Sequence, residues 1–494
     1  MGLNTLDLFI IAAYLIGITL FGLKFRKKER SLKDYFLADR NIPWWAIMLS
    51  IVAAETSTLT IISIPGVAYR GDLTFLQVVM GYVVGRIVIS LLFIPHYFRG
   101  DLFTAYQLME RRFGKSLRSL TASLFLITRA AAEGVRIFAV AIVVRITLGA
   151  LLSGFSDFTR DVIAIGIVTV LTLIYTFEGG MTAVIWTDVV QMFIYVGGTI
   201  VGFVTLLHLV PGGWSTVTSM AEAGNKFRVF NFSFDFFNAY TFWAGLIGGA
   251  FLTTASHGTD QLIVQRLLAA RSEAQSKLAL VSSGFAVLMQ FSFFLLVGIL
   301  LFAYYNTAAK GQHFASFDEI FPTFIVQHMP HGVAGLLIAA ILAAAMSNLS
   351  AALNSLSSSS IVDFYVRMRP ETSEAKRMKL SRVSTLIWAL VLFTLAIASR
   401  NIKVVVEVGL AIASVAYGAL LGVFLLGVLT RRATQAGTMV GLFVGFATNL
   451  YIWQFTKIPF TWYVLIGSVV TFAVGMVASL FLGDDKTPSE KANA

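Results

Sequence analysis

A carboxylate, Glu55, stands among the hydroxyls Ser50, Thr56, Ser57, Thr58, Thr60 and Ser63 in an otherwise apolar run closed by Pro65 and Gly66. Polar groups in hydrocarbon are costly and usually functional. Hydroxyls compete with the helix ladder, and Pro65 and Gly66 disfavour its continuation. A helix broken here would free backbone carbonyls to bind a cation. The alternative is a continuous, hydroxyl-lined helix packed on its neighbours.

Further along, Ser347, Ser350 and Asn354 recur at helical spacing among Ala343, Ala344, Ala345, Ala351 and Ala352. They share one face, and small residues let another helix approach closely. Alone this is a packing face. Opposite an interrupted helix it becomes a wall for Na⁺, because hard cations take oxygen ligands. Asp188, which follows Glu178, Gly179 and Gly180, is either a functional acid or an interfacial one facing cytoplasmic water. Gly248, Gly249, Thr253, Thr254, Ser256, His257 and Gly258 mark a second weak point. Two interrupted helices five spans apart are the pattern of inverted-repeat transporters, although the halves show no residue-level repeat. Arg129, Glu133 and Arg136 lie a turn apart. They either neutralise one another, with Arg86 as a further member, or present an arginine to a substrate carboxylate or hydroxyl.

The elements that must hold these groups are membrane spans. Of the residues, 57% are hydrophobic and 13% charged, against about a quarter charged in soluble chains. Runs of about 20 apolar residues mark thirteen spans. Numbered 0 to 12, they are Leu6–Leu23, Trp45–Val67, Leu73–Tyr97, Leu117–Leu148, Asp161–Tyr175, Ala183–Leu207, Tyr240–Leu268, Leu278–Tyr304, Gly332–Leu356, Val383–Ala398, Val404–Leu429, Thr438–Trp453 and Trp462–Leu482. The net charge of +11 gathers in three loops. These are Lys24, Arg26, Lys27, Lys28, Arg30 and Lys33; Arg111, Arg112, Lys115 and Arg118; and Arg367, Arg369, Lys376, Arg377, Lys379 and Arg382. With the N-terminus outside, all three fall in the cytoplasm, which is the positive-inside pattern rather than a nucleic-acid footprint. The C-terminus is then cytoplasmic, and the short polar tail after Leu482 is expected to be disordered. With no cysteine in the chain, thiol catalysis, disulfides and thiolate metal sites are excluded. A basic cluster rather than a cleavage site follows the first span, so no signal peptide is expected. The loops 208–239 and 305–331 are too short for an independent core.

Motifs spread from span 0 to span 11 resemble those of the sodium/solute symporter family, which includes sodium–glucose, sialic acid, proline and pantothenate carriers. Asp34 to Ala38 before Pro43, Trp44 and Trp45 looks like its entry to span 1. Thr104, Ala105 and Tyr106 with Glu110 to Gly114 looks like its loop before span 3. Gly179, Gly180, Met181, Ala183, Val184, Trp186, Thr187, Asp188 and Gln191 look like its span 4–5 signature. Asp260, Gln261, Val264, Gln265, Arg266, Ala269 and Ala270 look like the end of span 6. The resemblance implies an all-α, LeuT-type fold. Its inverted five-helix repeats would occupy residues 44–210 and 211–430, preceded by residues 1–43 and followed by residues 431–494. It implies a shared sodium site on Ala53, Thr56, Ala344, Ser347 and Asn348, the last standing where the family usually has Ser or Thr. A second sodium, known in sialic acid carriers, would fall on Asp188, Ser347, Ser350 and Ala351. Alanine supplies no hydroxyl ligand, so one Na⁺ per cycle is expected. Substrate positions carried over are Glu55, Ser57, Thr60 and Phe75. The family's helix-3 arginine falls near Ala132, between Arg129 and Arg136. Sugar carriers of the family usually hold a neutral residue at Glu55 and proline carriers an Asp, so Glu55 could serve the ion, a proton or a substrate amine or hydroxyl.

The reading is therefore a sodium-coupled symporter in a bacterial inner membrane, functional as a monomer, importing a small polar solute, in first place a sugar or sugar acid. A sodium- or proton-coupled carrier of amino acids or other small amines and carboxylates is the alternative. A channel lacks a repeated filter motif, and an enzyme lacks H-E-x-x-H, G-x-S-x-G or a phosphate-cradling loop. A transporter-like sensor would need a signalling domain after span 12.

Overall fold

The computed structural model describes residues 3–25, 31–100, 102–147, 152, 154–312, 314, 319–401 and 405–482. Arg26, Lys27, Lys28, Arg30, Leu148, Lys403, Val404 and the tail beyond Leu482 lie outside the described residues, as do the side chains of Glu178 and Gly179.

The described chain is helical, its only β-type contact being one isolated bridge between Ile42 and Ala270. In order the main helices are α1 (Thr5–Leu23), α2 (Trp44–Glu55), α3 (Thr58–Arg70), α4 (Leu76–Leu92), α5 (Lys115–Thr147), α6 (Asp157–Phe177) and α7 (Gly180–Leu209). There follow α8 (Gly249–Gly258), α9 (Gln261–Leu268), α10 (Glu273–Thr307), α11 (Val333–Ser359), α12 (Glu374–Ala398), α13 (Val405–Leu429), α14 (Gln435–Phe455) and α15 (Tyr463–Phe481). Among the described residues ten helices are long and apolar enough to cross a membrane, or eleven with α2 and α3 taken as one bent span. That measure does not reach the expected thirteen. α5 carries Arg118, Arg129, Glu133 and Arg136, and α8 and α9 are separate short pieces.

The break in span 1 does not fall at Pro65. Helix α2 ends at Glu55, Thr56 is extended, and Ser57 caps α3 with Pro65 inside it. Ser57 and Thr60 bond each other's main-chain N–H groups, and such a reciprocal cap starts a new helix. A proline inside a membrane helix is tolerated when its surroundings satisfy the freed carbonyl. The two half-helices diverge by 63°. Span 6 breaks one residue past Gly258, at Thr259 and Asp260, after a π-helical turn over Ala244–Gly248. The Asp260 carboxylate caps α9 by accepting from the Leu262 N–H at 2.9 Å.

Helix α11 is the axis of the molecule, with 94% of its apolar window buried, chiefly beneath the α6–α7 segment. Two glycines set close contacts elsewhere in the fold. Gly180 turns α6 into α7 with φ +50°, and a Cβ there would lie 2.5 Å from the Tyr35 carbonyl. A Cβ on Gly249 would lie 2.3 Å from the Val78 carbonyl, so α8 packs backbone to backbone on α4. The expected outer loops carry short helices of their own, Gly213–Ala223 and Ile320–His328.

Candidate functional site

The interruption after Glu55 turns main-chain groups sideways. The Ser57 N–H bonds the Thr60 hydroxyl at 3.2 Å instead of continuing the ladder to Ala53. The Thr56 N–H and hydroxyl both go to the Val52 carbonyl, at 2.9 and 2.8 Å. The Thr56 carbonyl instead faces α11. There Asn348 Nδ2 donates to it at 3.0 Å and to the Ala344 carbonyl at 3.1 Å. Carbonyls from two helices thus converge on one point. Thr56 and Ala344 are wholly buried, as are the other expected ligands Ala53 and Ser347, and Asn348 is nearly so. Carbonyl and hydroxyl oxygens without net charge are the donor set of a hard monovalent cation.

Asp188 is not a water-facing interfacial acid. It is fully buried, pairs with Arg266 Nη2 at 2.9 Å, and accepts from Ser50 Oγ at 2.6 Å and Ser347 Oγ at 2.7 Å. Arg266 also donates through Nε to Ser50 Oγ at 2.8 Å. The carboxylate orients Ser347 while its charge is cancelled by Arg266. Ser350 spends its hydroxyl proton on the Ser347 carbonyl at 2.9 Å.

Beside the break lies a cavity of about 1050 Å³, part of it open to solvent. Glu55, Ser57, Thr60, Phe75, Arg129 and Arg136 all line it, so the six expected substrate positions come together. Phe75 stacks on Phe291 with centroids 5.7 Å apart. Sequence reasoning did not assign Tyr82, His257 or Tyr417 to this wall, though all three line it. His257 carried a signal, being a polar residue within a span. Tyr417 comes from a distant, unremarkable span and carried none.

Arg86 does not join the α5 cluster. It forms an ion pair with Glu55 and places Nη2 3.1 Å from His257 Nε2. A guanidinium only donates, so His257 Nε2 accepts and the ring proton sits on Nδ1, directed at Ser256 Oγ at 2.9 Å. Glu55 therefore meets the cavity already neutralised. On α5, Arg129 contacts Glu133 at 3.1 Å and Asp260 at 3.6 Å. Tyr417 donates to the same Asp260 oxygen at 2.6 Å. Among the described residues Arg136 pairs with Glu133 alone, at 3.7 Å, and its side chain keeps 22% of its surface exposed. Both arginines line the cavity, Arg129 held by two carboxylates and Arg136 by one longer contact.

At the far end of α9, Gln265 Nε2 donates to Asn354 Oδ1 on α11 at 2.6 Å and to the Phe36 carbonyl at 2.7 Å. Gln261 spans the Phe103 carbonyl at 3.0 Å and the Ala105 N–H at 2.8 Å. These bonds tie α9 to α11 and to the main chain at Phe36, Phe103 and Ala105.

A broken helix set against a hydroxyl-lined one, with a polar solute cavity beside the break, is the construction of a LeuT-type secondary transporter. The chain belongs to the sodium:solute symporter family, whose sequence profile matches residues 35–445. It is a transporter with Na⁺ as its coupling ion, not an enzyme. It is 31% identical to the sodium/sialic acid symporter of Aliivibrio fischeri over 96% of this chain and 93% of that one. It is likewise 31% identical to the sodium/sialic acid symporter of Proteus mirabilis, over 95% and 94%. A solved substrate-bound, outward-open Na⁺-coupled sialic acid symporter superposes with a TM-score of 0.86 at 27% identity, covering 98% of this chain and 99% of that one. Mhp1, a nucleobase-cation-symport-1 family transporter in a closed conformation, shares the fold at a TM-score of 0.55 and 13% identity, over 92% of this chain and 96% of that one.

Proposed function

We propose that this chain imports a sialic-acid-like sugar acid together with one sodium ion, by alternating access. The observation that carries the reading is the pairing of two features across the span-1 break. On one side carbonyls of Thr56 and Ala344 converge; on the other an under-partnered Arg136 faces a cavity lined by hydroxyls. Sodium binds among Ala53, Thr56, Ala344, Ser347 and Asn348 and holds the two half-helices in place. Arg136 takes the solute carboxylate, while Ser57, Thr60 and Ser256 take its hydroxyls. The two 31% relatives bear the name of sialic acid symporters, which favours this solute class. The Glu55–Arg86 pair counts against an amine, because the carboxylate already has its cation. Ala351 and the Asp188–Arg266 pair count against a second sodium.

In this reading the N-terminus is outside and the C-terminus cytoplasmic, in a bacterial inner membrane, with a monomer as the working unit. The repeats are 44–210 and 211–430. One sodium ion crossing about 100 mV contributes roughly 2.3 kcal/mol to accumulation.

The test is thermal stabilisation of the purified protein by sialic acid, neutral sugars and amino acids, in sodium and in potassium. A ligand that binds the folded state alone raises its stability by mass action. A shift with sialic acid that needs sodium is expected. A shift with an amino acid instead, or one indifferent to sodium, would overturn the proposal.

A further inference from the structure

The charged groups around the cavity and the ion site form a closed set. Glu55, Arg129 and Arg136 line the large cavity. Glu55 pairs with Arg86, Arg129 with Glu133 and Asp260, and Arg136 with Glu133. Behind the expected sodium ligands, Asp188 pairs with Arg266. Among the described residues these contacts lead to one further titratable group, His257, which accepts from Arg86 through Nε2 and is therefore neutral. Four arginines, 86, 129, 136 and 266, thus stand against four carboxylates, 55, 133, 188 and 260.

Burial makes this balance matter. Arg86, Arg266 and Asp188 expose no surface, and Glu133 and Asp260 almost none. Charges so placed are weakly screened and act on one another across several ångströms. Asn348, Ser57, Glu133 and Arg136 also border one narrow cavity. The ion site and the solute-facing arginine therefore lie on either side of a single gap, and Asn348, Ser57 and Glu133 between them are buried.

We propose that sodium and solute cross as a neutral pair and are coupled by their own opposite charges; this rests on the single sodium and the sugar-acid reading given above. Empty, the core is neutral. Sodium alone leaves one uncompensated positive charge in it, and a solute carboxylate alone leaves one negative charge. Bound together they restore the balance, so each raises the affinity of the other. The solute that fits is a monoanion, rather than a neutral sugar, a zwitterion or a dianion. The empty and the loaded carrier then both reorient without moving net charge. What the membrane potential contributes through sodium is cancelled on the solute, and the sodium concentration ratio is the driving force.

The experiment compares sialic acid with its methyl ester, which keeps the hydroxyls and loses the charge. Each is titrated by calorimetry into the full-length purified protein, in sodium and in potassium. The acid is expected to bind more tightly in sodium, within the range of about 5–150-fold typical of coupled sites. The ester should bind weakly and nearly equally in both salts. Asp260→Asn removes one negative charge and can keep the cap on the Leu262 N–H. It is expected to tighten sialic acid in potassium and to weaken sodium, each severalfold. Arg136→Gln removes one positive charge and should tighten sodium. Opposite signs for the two ligands in one variant are not produced by a loosened fold. Should Asp260→Asn fold poorly, acid and ester on the parent decide alone. In proteoliposomes with a fixed sodium gradient, accumulation of sialic acid should be the same with and without an inside-negative diffusion potential. Equal sodium dependence of acid and ester overturns the charge coupling. Accumulation that rises with the potential overturns the neutral pair. If sialic acid itself binds without regard to sodium, the functional reading fails and the pair falls with it.

Discussion

Arg266 Nη2 lies 2.9 Å from Asp188 Oδ2, and neither side chain exposes any surface. The pair joins α9 to α7 and, through Ser50 and Ser347, reaches α2 and α11. A buried charge left without its partner costs about 3–5 kcal/mol. Arg266→Ala is therefore expected to lower the unfolding free energy by about that amount. Asp188→Asn combined with Arg266→Met should recover most of it, since replacing a whole buried pair is close to neutral. Unfolding of the parent and both variants in one detergent checks this. Equal stability of parent and Arg266→Ala would show the pair to be hydrated.

Glu55 separates two solute classes. Since Arg86 neutralises it and His257 Nε2 accepts from the same guanidinium, Glu55→Gln leaves Arg86 as an uncompensated buried cation. The unpaired Arg86 should cost about 3–5 kcal/mol of stability, while sialic acid, an anion, should bind no more weakly than to the parent. Sodium-induced stabilisation should survive, because no converging carbonyl is touched. If Glu55→Gln instead abolishes the sodium effect and spares the solute, Glu55 belongs to the ion.

Much of this site was legible because an apolar chain makes its polar residues conspicuous. Glu55, Ser57, Thr60, Arg129 and Arg136 stand out for that reason, and all line the cavity. The position of the break was less legible. The hydroxyls and the Pro65–Gly66 pair both stood as breakers, and it is two of the hydroxyls, Ser57 and Thr60, that form the cap starting the new helix. Capping is a local reciprocal geometry, whereas a proline within a membrane helix can be accommodated. Pairings between helices could not be read at all, unlike the one-turn pairs of Glu133 with Arg129 and Arg136. Arg86 sits 31 positions from Glu55 and Arg266 sits 78 from Asp188, and nothing in either local pattern names the partner. Asn348 was legible as an unusual ligand, but the orientation of its amide depends on carbonyls of two helices.

The contrast between the two α5 arginines is a sharper test of carboxylate recognition. Arg136→Ala removes a group with one long contact, so stability should change little while the affinity for sialic acid falls roughly ten- to a hundredfold, the range of a charged hydrogen bond. Arg136→Lys keeps the charge but not the fork and should recover only part of the loss. Arg129→Ala strips its cation from Asp260 and leaves Glu133 only the longer contact to Arg136, so it should destabilise the protein strongly. Unfolding midpoints measured beside sialic acid titrations resolve the two. The assignment fails if Arg136→Ala binds sialic acid like the parent.

The bond from Gln265 to Asn354, 2.6 Å long, ties α9 to α11 at the end that the orientation proposed above turns to the cytoplasm. If α9 parts from α11 during the proposed alternating access, this bond breaks in each cycle. Gln265→Ala removes it together with the bond to the Phe36 carbonyl, and the population should shift toward the state open at this end. Each neutral hydrogen bond is worth about 0.5–1.5 kcal/mol, so a shift of roughly three- to tenfold per bond follows. The chain has no cysteine, so a single reporter can be introduced on a silent background. Ser358 is wholly buried on the same face of closure, 3.4 Å from Gln261. Ser358→Cys should react slowly with a membrane-impermeant maleimide applied from the cytoplasmic side, and several-fold faster once Gln265→Ala is added. Sodium should slow labelling in both backgrounds, because an ion between α2 and α11 favours the arrangement closed at this end. If labelling is equally slow with and without Gln265→Ala, the bond is not a gate and closure rests on apolar packing alone.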